Sequence, residues 1–556
     1  MSVTAAKYAQ FILSENFGPT AASVTRLMRT KGPVLLLEII RDCSDLTAQH
    51  IGRCLKSLIR HMLLRQRHST NLKYELNYPL VFCIPRFPLF MQLVLHFYGQ
   101  TAKELVFHLF IIGRAAVSDL LMRCLSSLDK SEDESKRHEY VESLGNTLDT
   151  LIRTGVLEVL VPNEEQPQEC QDKQSGPNND VIPASGSKVW NFSKNEICEA
   201  LHTYLSTGKK PWTGKYIKES DSKRARLSSE APTLWDHVVY PNISVFEAMW
   251  RDRLIFQLAR ERLGETCGNL MSHLLCIAAA ARRSTTITSV ASGSVSRNEV
   301  MRSMRTVPEF FDSYLSLLVE DEIGFLVQEP NVGGFMYICP YKQVIKQLLT
   351  KHAEHVIRVL FQNSGLRIFR LLLCGPLNHE ELERRVLLPQ KDFRRTLPRM
   401  ISAGYIATTE LSKSKDYSSE TIICLYSVNL TRVAYLLIEL SQHSALRIAV
   451  RSKHEFELKK RLVEQRYRVE NLIEKHQTKM AILENSTTNN NAADNAEDVE
   501  SLTQHRESLE SLKSSITPAE QKQLNNLIST LAKLNSCEQE AHITWFVSEL
   551  YLRLHT

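Results

Sequence analysis

The sequence predicts a mainly α protein with small β wings: four tandem units of one kind, followed by an antiparallel coiled-coil helical hairpin. Three observations carry this. A helix-turn-strand motif recurs as Leu55-x-x-Leu58-Ile59-x-x-Met62-Leu63-Leu64, Leu148-x-x-Leu151-Ile152-x-x-Gly155-Val156-Leu157 and Leu397-x-x-Met400-Ile401-x-x-Gly404-Tyr405-Ile406, with a looser copy from Tyr314 through Leu317 and Leu318 to Ile323-Gly324-Phe325-Leu326. A helical pair precedes each copy and a second strand follows it. Beyond residue 442 the pattern changes to leucine ladders on sequence dense in Glu, Lys, Arg and Gln.

The first unit spans 1–84, with helices over 33–43 and 47–61, the motif, and a returning strand Lys73–Asn77. The second spans 85–205, its returning strand expected at Lys188-Val-Trp-Asn191 and the Pro, Gly, Asn and Glu-rich stretch 162–187 forming an extended wing tip. Residues 206–233 read as a linker, holding the short basic cluster Lys223-Arg224-Ala225-Arg226. The third unit spans 234–349 and returns at Phe335–Ile338; the fourth spans 350–442 and returns at Cys424–Asn429. In the fourth, Asn378 with Glu381 makes a capping box for helix 378–386, ahead of helix 390–403. Helices followed by a two-stranded hairpin are the winged helix-turn-helix arrangement.

The segment 443–556 carries Leu458, Leu462, Gln465, Val469 and Leu472, then Leu524, Leu527, Leu531 and Leu534, in steps of four and three. Two coiled-coil helices are implied, folding back through a flexible Asn-rich turn at 485–500 and offering their leucines to a partner.

Chemistry is sparse. The 556 residues are 43% hydrophobic and 23% charged, which supports several cores and excludes wholesale disorder. Uninterrupted apolar runs such as Leu274–Ala281 stop far short of the ~18 residues of a membrane span, and the start lacks the order of a secretory leader. Twelve cysteines include no C-x-x-C pair, so neither a zinc ribbon nor a redox motif is supported. The phosphate-loop lookalike from Gly208 to Tyr216 has one residue too many between its glycines, and Tyr where Ser or Thr belongs. His352 and His355 lack the Glu of a metalloprotease frame. No catalytic residue, metal or cofactor is expected.

Charge distribution says more than the net +6. In the first unit Arg53, Lys56 and Arg60 stand opposite the apolar stripe Ile51, Leu55, Leu58 and Met62, and Arg65 and Arg67 extend this ridge into the wing. In the fourth, Lys391, Arg394, Arg395 and Arg399 oppose Phe393, Leu397 and Met400, flanked by Arg384 and Arg385; Pro398 should kink or shorten that helix, at a cost of about 3 kcal/mol. The second unit presents Glu139, Glu142, Asn146 and Asp149 instead, and the third Glu309, Asp312, Ser316 and Glu320, which would repel phosphate and read as protein-facing. The basic ridges lack the Asn and Gln pairs that read adenine, so sequence-independent, single-strand phosphate contact is expected.

With the opening Tyr8-Ala-Gln-Phe11-Ile-Leu13 to Phe17-Gly18, and Ile51-Gly-Arg-Cys-Leu-Lys-Ser-Leu58, this layout closely resembles the winged-helix subunit of the RNA polymerase III initiation heterotrimer, a family related to the alpha subunit of general transcription factor IIE. The resemblance covers nearly the whole chain. It implies a non-catalytic nuclear subunit over the clamp of the largest polymerase subunit, acting in promoter opening. It also implies contact with the initiation-factor complex, a small acidic-tailed subunit and a second winged-helix subunit. The runner-up is a scaffold of the proteasome-lid or translation-initiation-factor kind, which carries one winged helix behind a solenoid and not four strand-bearing units; a third reading is a free-standing sequence-specific transcription factor.

Overall fold

The computed structural model describes residues 2–43, 46–68, 72–126, 134–160, 198–199, 201, 237–281, 287–304, 306–331, 334–412, 422–489, 506, 508, 511, 515 and 517–555. Among them are four three-stranded antiparallel sheets, and in each the strands stand in the order first, third, second. In the first, helix Pro19–Lys31 leads through strand Val34–Leu35 to helices Leu36–Asp42 and Ala48–Arg60, then to the hairpin Leu64–His68 and Leu72–Leu76. The same order of helix, strand, two helices and two strands runs from Gln100–Ile112 to Val238–Pro241, from Glu265–Ala281 to Gly334–Ile338, and through Leu377–Asn378 to Ile422–Ser427. This is winged-helix connectivity.

The third helix of each unit is held by an apolar stripe at helical spacing: Ile51, Cys54, Leu55 and Leu58 are buried in the first unit, and Phe393, Thr396, Leu397 and Met400 in the fourth. Each of these helices ends at a left-handed residue, Met62, Gly155, Gly324 or Gly404, with φ of 59°, 76°, 64° and 82°. Met62 N–H donates to Ile59 O at 2.9 Å and Leu63 N–H to Leu58 O at 2.9 Å; Gly404 and Tyr405 repeat the pattern toward Ile401 and Met400. These paired bonds satisfy the last carbonyls of the helix and aim the chain into the strand.

Four local expectations need correction. Strand Leu157–Leu160 pairs with Val238–Pro241, which the sequence reading had placed in the third unit. The expected strand at 188–191, the wing tip 162–187, the basic cluster 223–226 and the loop 208–216 lie outside the described residues. The second unit therefore closes beyond the expected linker, and helix Ile243–Leu263 starts directly after its last strand. Pro398 does not end its helix, which runs unbroken over Gln390–Ser402. Both Pro398 and Arg394, whose carbonyl loses its usual donor, are exposed, so water can satisfy that group. Finally, helix Lys460–Asn489 takes in residues 485–489, where a turn was expected; the rest of that turn lies outside the described residues.

Residues 1–8 and 435–546 form one unit, and 9–434 with 547–556 another. In the smaller unit Tyr8 is fully buried, its hydroxyl 3.0 Å from His542 Nε2, and Ser2 Oγ donates to Gln442 Oε1 at 3.3 Å. Trp545 and Phe546 complete this core. The start of the chain, read from sequence as part of the first winged helix, thus belongs with the C-terminal helices.

Among the described residues one stretch, Tyr78–Tyr98, is long and apolar enough to cross a membrane, with mean hydropathy 1.6. Arg86 and three prolines interrupt it, so it holds no uninterrupted apolar run of that length. It breaks into Tyr78–Cys83, Ile84–Arg86 and Phe87–Tyr98, and Arg86, buried like Val81, Phe90 and Val94, is ion-paired and lies 5.4 Å from the Trp250 ring centroid.

Candidate nucleic-acid interface

The expected cations of the fourth unit all reach the surface. Lys391, Arg394, Arg395 and Arg399 are exposed on helix Gln390–Ser402, while Phe393, Thr396, Leu397 and Met400 fill the opposite face. The helix before it is capped by Asn378, whose side chain accepts from Glu381 N–H at 2.8 Å, one half of the capping box that the sequence suggested. Glu381 itself turns to pair with Arg385, leaving Arg384 exposed beside the ridge. Lys391, Arg394 and Arg395 have no ion pair among the described residues, and the Arg399 guanidinium lies 5.7 Å from the Phe361 ring centroid. A row of cations on a well-packed helix, with Asp392 the one carboxylate among them, can neutralise phosphates but cannot by itself distinguish bases.

The first unit is less free. Arg53 and Lys56 are exposed on helix Ala48–Arg60. Arg60 is exposed too, but its Nε donates to the Arg114 carbonyl at 2.9 Å, and Arg114 N–H donates back to the Arg60 carbonyl at 3.0 Å. Arg60 therefore ties the first winged helix to the second. Arg65 is exposed but stands opposite Glu75 in the hairpin, and Arg67 takes the position opposite Lys73. Burial, then the Arg60 charge, pull the pKa of neighbouring His61 down.

The leucine ladders divide. Leu524 and Leu527 are buried and Val469 nearly so, which commits them to the unit's own packing; Leu462, Leu531 and Leu534 are half-buried. Leu458 and Leu472 face solvent, as do Tyr467 and Ile528. In the third unit Asp312 is gripped by Arg297 at 2.6 and 2.8 Å, so its charge is already spent.

Sequence reasoning missed the buried charges. Arg86 lies 3.9 Å from both Glu247 and Glu549, and Arg553 reaches Glu247 at 3.3 Å. An arginine inside the apolar stretch 78–98 was the available signal. Burial pushes the thiols of Cys83 and Cys124 up to about 12, away from the reactive thiolate. Among the described residues no three His, Cys, Asp or Glu side chains gather in a metal-holding group.

Comparison with known proteins agrees with this architecture. Residues 353–428 match the family model described as POLR3C, C-terminal winged-helix domain, which takes in the fourth sheet and the basic ridge. The chain is 24% identical to DNA-directed RNA polymerase III subunit RPC3 of Bos taurus and of Homo sapiens, over 98% of both chains in each case, and 23% identical to that of Danio rerio over 97%. The resemblance read from the opening motif and the repeated winged helices holds from end to end: the chain is similar throughout to the RPC3 subunit of DNA-directed RNA polymerase III and carries the C-terminal winged-helix domain of that family.

Proposed function

We propose that the chain is a non-catalytic subunit of RNA polymerase III that acts in promoter-dependent initiation, contacting the opened template strand through phosphate-neutralising ridges. The observation that carries this is the row Lys391, Arg394 and Arg395, without ion pairs among the described residues, with Arg399, on the exposed face of one helix that holds a single carboxylate, Asp392, among them. Arg53 and Lys56 of the first winged helix add a second, smaller patch. The second and third units are reserved for protein contacts. Their neighbours would be the clamp of the largest subunit, a small acidic-tailed subunit, a second winged-helix subunit and the initiation-factor complex, in the nucleus. Exposed Leu458 and Leu472 give the C-terminal helices a surface for the large partner.

Reversing Arg394 and Arg395 to Glu tests the reading. Binding to short single-stranded DNA should weaken whatever its sequence, and each lost phosphate contact should flatten the log-log salt slope by about 0.7. Glu142→Lys in the second unit should leave that binding intact. An unaltered slope in the Arg394 and Arg395 variant would sink the reading.

A further inference from the structure

We propose that a cavity of about 370 Å³, between the second winged helix and helices Ile243–Leu263 and Glu265–Ala281, receives an apolar side chain from an acidic peptide segment of a partner subunit. The source of the segment rests on the subunit reading above; the chemistry of the cavity does not.

The walls are Phe97, Met249, Phe256 and Leu275, and Phe97 leaves 38% of its surface open to solvent. A volume in this range, lined by aromatic and aliphatic side chains with a few polar groups, falls within that of small-ligand sites. The floor holds one carboxylate, Asp252. Arg251 donates to it from Nε at 2.9 Å and approaches with Nη2 at 2.8 Å, and Tyr341 hydrogen-bonds it as well. Burial raises the Asp252 pKa while Arg251 opposes that shift. The Arg251 guanidinium in turn lies 3.6 Å from the Tyr341 ring centroid. The floor carboxylate is therefore paired, and the floor is close to neutral.

The remaining charge is positive. Arg253 lies 5.1 Å from the Phe256 ring centroid and has no carboxylate partner among the described residues. Arg153, 73% exposed, stands beside it but is paired with Asp149 at 2.9 Å, so Arg253 supplies the free charge at the rim. An apolar hole under an arginine rim selects an aromatic or branched side chain flanked by Asp or Glu, because the anchor is desolvated while its neighbours meet the arginines.

The test uses the full chain and two fluorescein-labelled peptides, Asp-Glu-Trp-Leu-Asp-Glu and Lys-Lys-Trp-Leu-Lys-Lys, read by anisotropy. The acidic peptide should bind at least roughly tenfold tighter. Ala279→Trp, which fills the hole from an exposed wall, and Arg253→Glu should each weaken it by a similar factor; circular dichroism reports whether either variant has unfolded. Equal binding of the two peptides, absence of binding by the acidic one, or displacement by a single-stranded oligonucleotide would each overturn the proposal. Copurification with polymerase subunits is scored separately. A chain that copurifies but ignores the peptide loses only the cavity; one that binds the peptide without copurifying loses only the subunit reading.

Discussion

Glu354 and Arg370 stand sixteen residues apart in one helical stretch, yet Arg370 grips both carboxylate oxygens of Glu354, at 2.9 and 2.6 Å. A straight helix would hold them roughly 24 Å apart, at 1.5 Å per residue. The stretch doubles back at Gln362, whose φ of 60° and ψ of −164° fall in a region nearly reserved for glycine. Phe361, just before the bend, packs edge-on against Tyr405 of the fourth winged helix. What runs as one helix over Tyr341–Cys374 is thus the last helix of one neighbourhood and the first of the next.

Relieving that bend should stabilise the protein. Gln362→Gly is expected to gain about 1 kcal/mol in denaturant unfolding. Arg370→Glu should lose less than about 1 kcal/mol, because both partners are partly solvated, and the charge-swapped pair Glu354→Arg with Arg370→Glu should recover most of it. A swap no better than the single variant would mean the pair does not hold the bend.

The helix-ending position makes a matched pair of experiments. Met62→Gly should stabilise by about 1 kcal/mol, since methionine there occupies left-handed backbone that its glycine counterparts adopt freely; Gly404→Met should destabilise by a comparable amount. Thermal midpoints moving in the same direction for both would contradict the shared geometry.

The two arginines of the first ridge should part company. Arg53→Glu is expected to weaken single-stranded DNA binding with little effect on the thermal midpoint. Arg60→Glu should weaken binding and also cost about 1 kcal/mol, because the Arg114 carbonyl loses a charged donor. Indistinguishable midpoints for the two variants would remove Arg60 from the junction.

Acid sensitivity should trace partly to His352. Burial, with smaller contributions from Lys351 and His355, lowers its pKa to about 4, below the unfolded value of 6.5. The folded state therefore binds fewer protons, so the stability is present above pH 6.5 and drains away as pH falls toward 4. His352→Leu should flatten the stability profile in that window by about 3 kcal/mol. A profile with unchanged slope would exclude this histidine.

The parts legible in sequence are those encoded within one turn or one helix. The steps of Leu55, Leu58 and Met62, like those of Leu397, Met400 and Gly404, specify a buried stripe and its exit within ten residues, and the cations opposite follow by geometry. The Asn378 cap was equally local. Three features were not. The pairing of 157–160 with 238–241 spans a long insertion, which no local pattern at either end discloses. The bend at Gln362 interrupts an apolar pattern that reads as helix on both sides, with no proline to mark it. The bond from Arg60 reaches a carbonyl 54 residues away, which no helical face discloses.

The late-arriving strand of the second winged helix sets a timetable for synthesis. The first wing closes as soon as residues 72–76 emerge, with three residues between them and its outgoing strand. The second waits for residues 161–237, 77 in all, before Val238–Pro241 can join Leu157–Leu160 and Ala115–Ala116. At translation rates of about 5–20 residues per second the ribosome needs roughly 4–15 s to deliver that strand. For that interval the nascent chain presents the edge of Leu157–Leu160 unpaired, so a chaperone that shields strand edges has its clearest opportunity on this protein there, while the neighbouring winged helix is already closed.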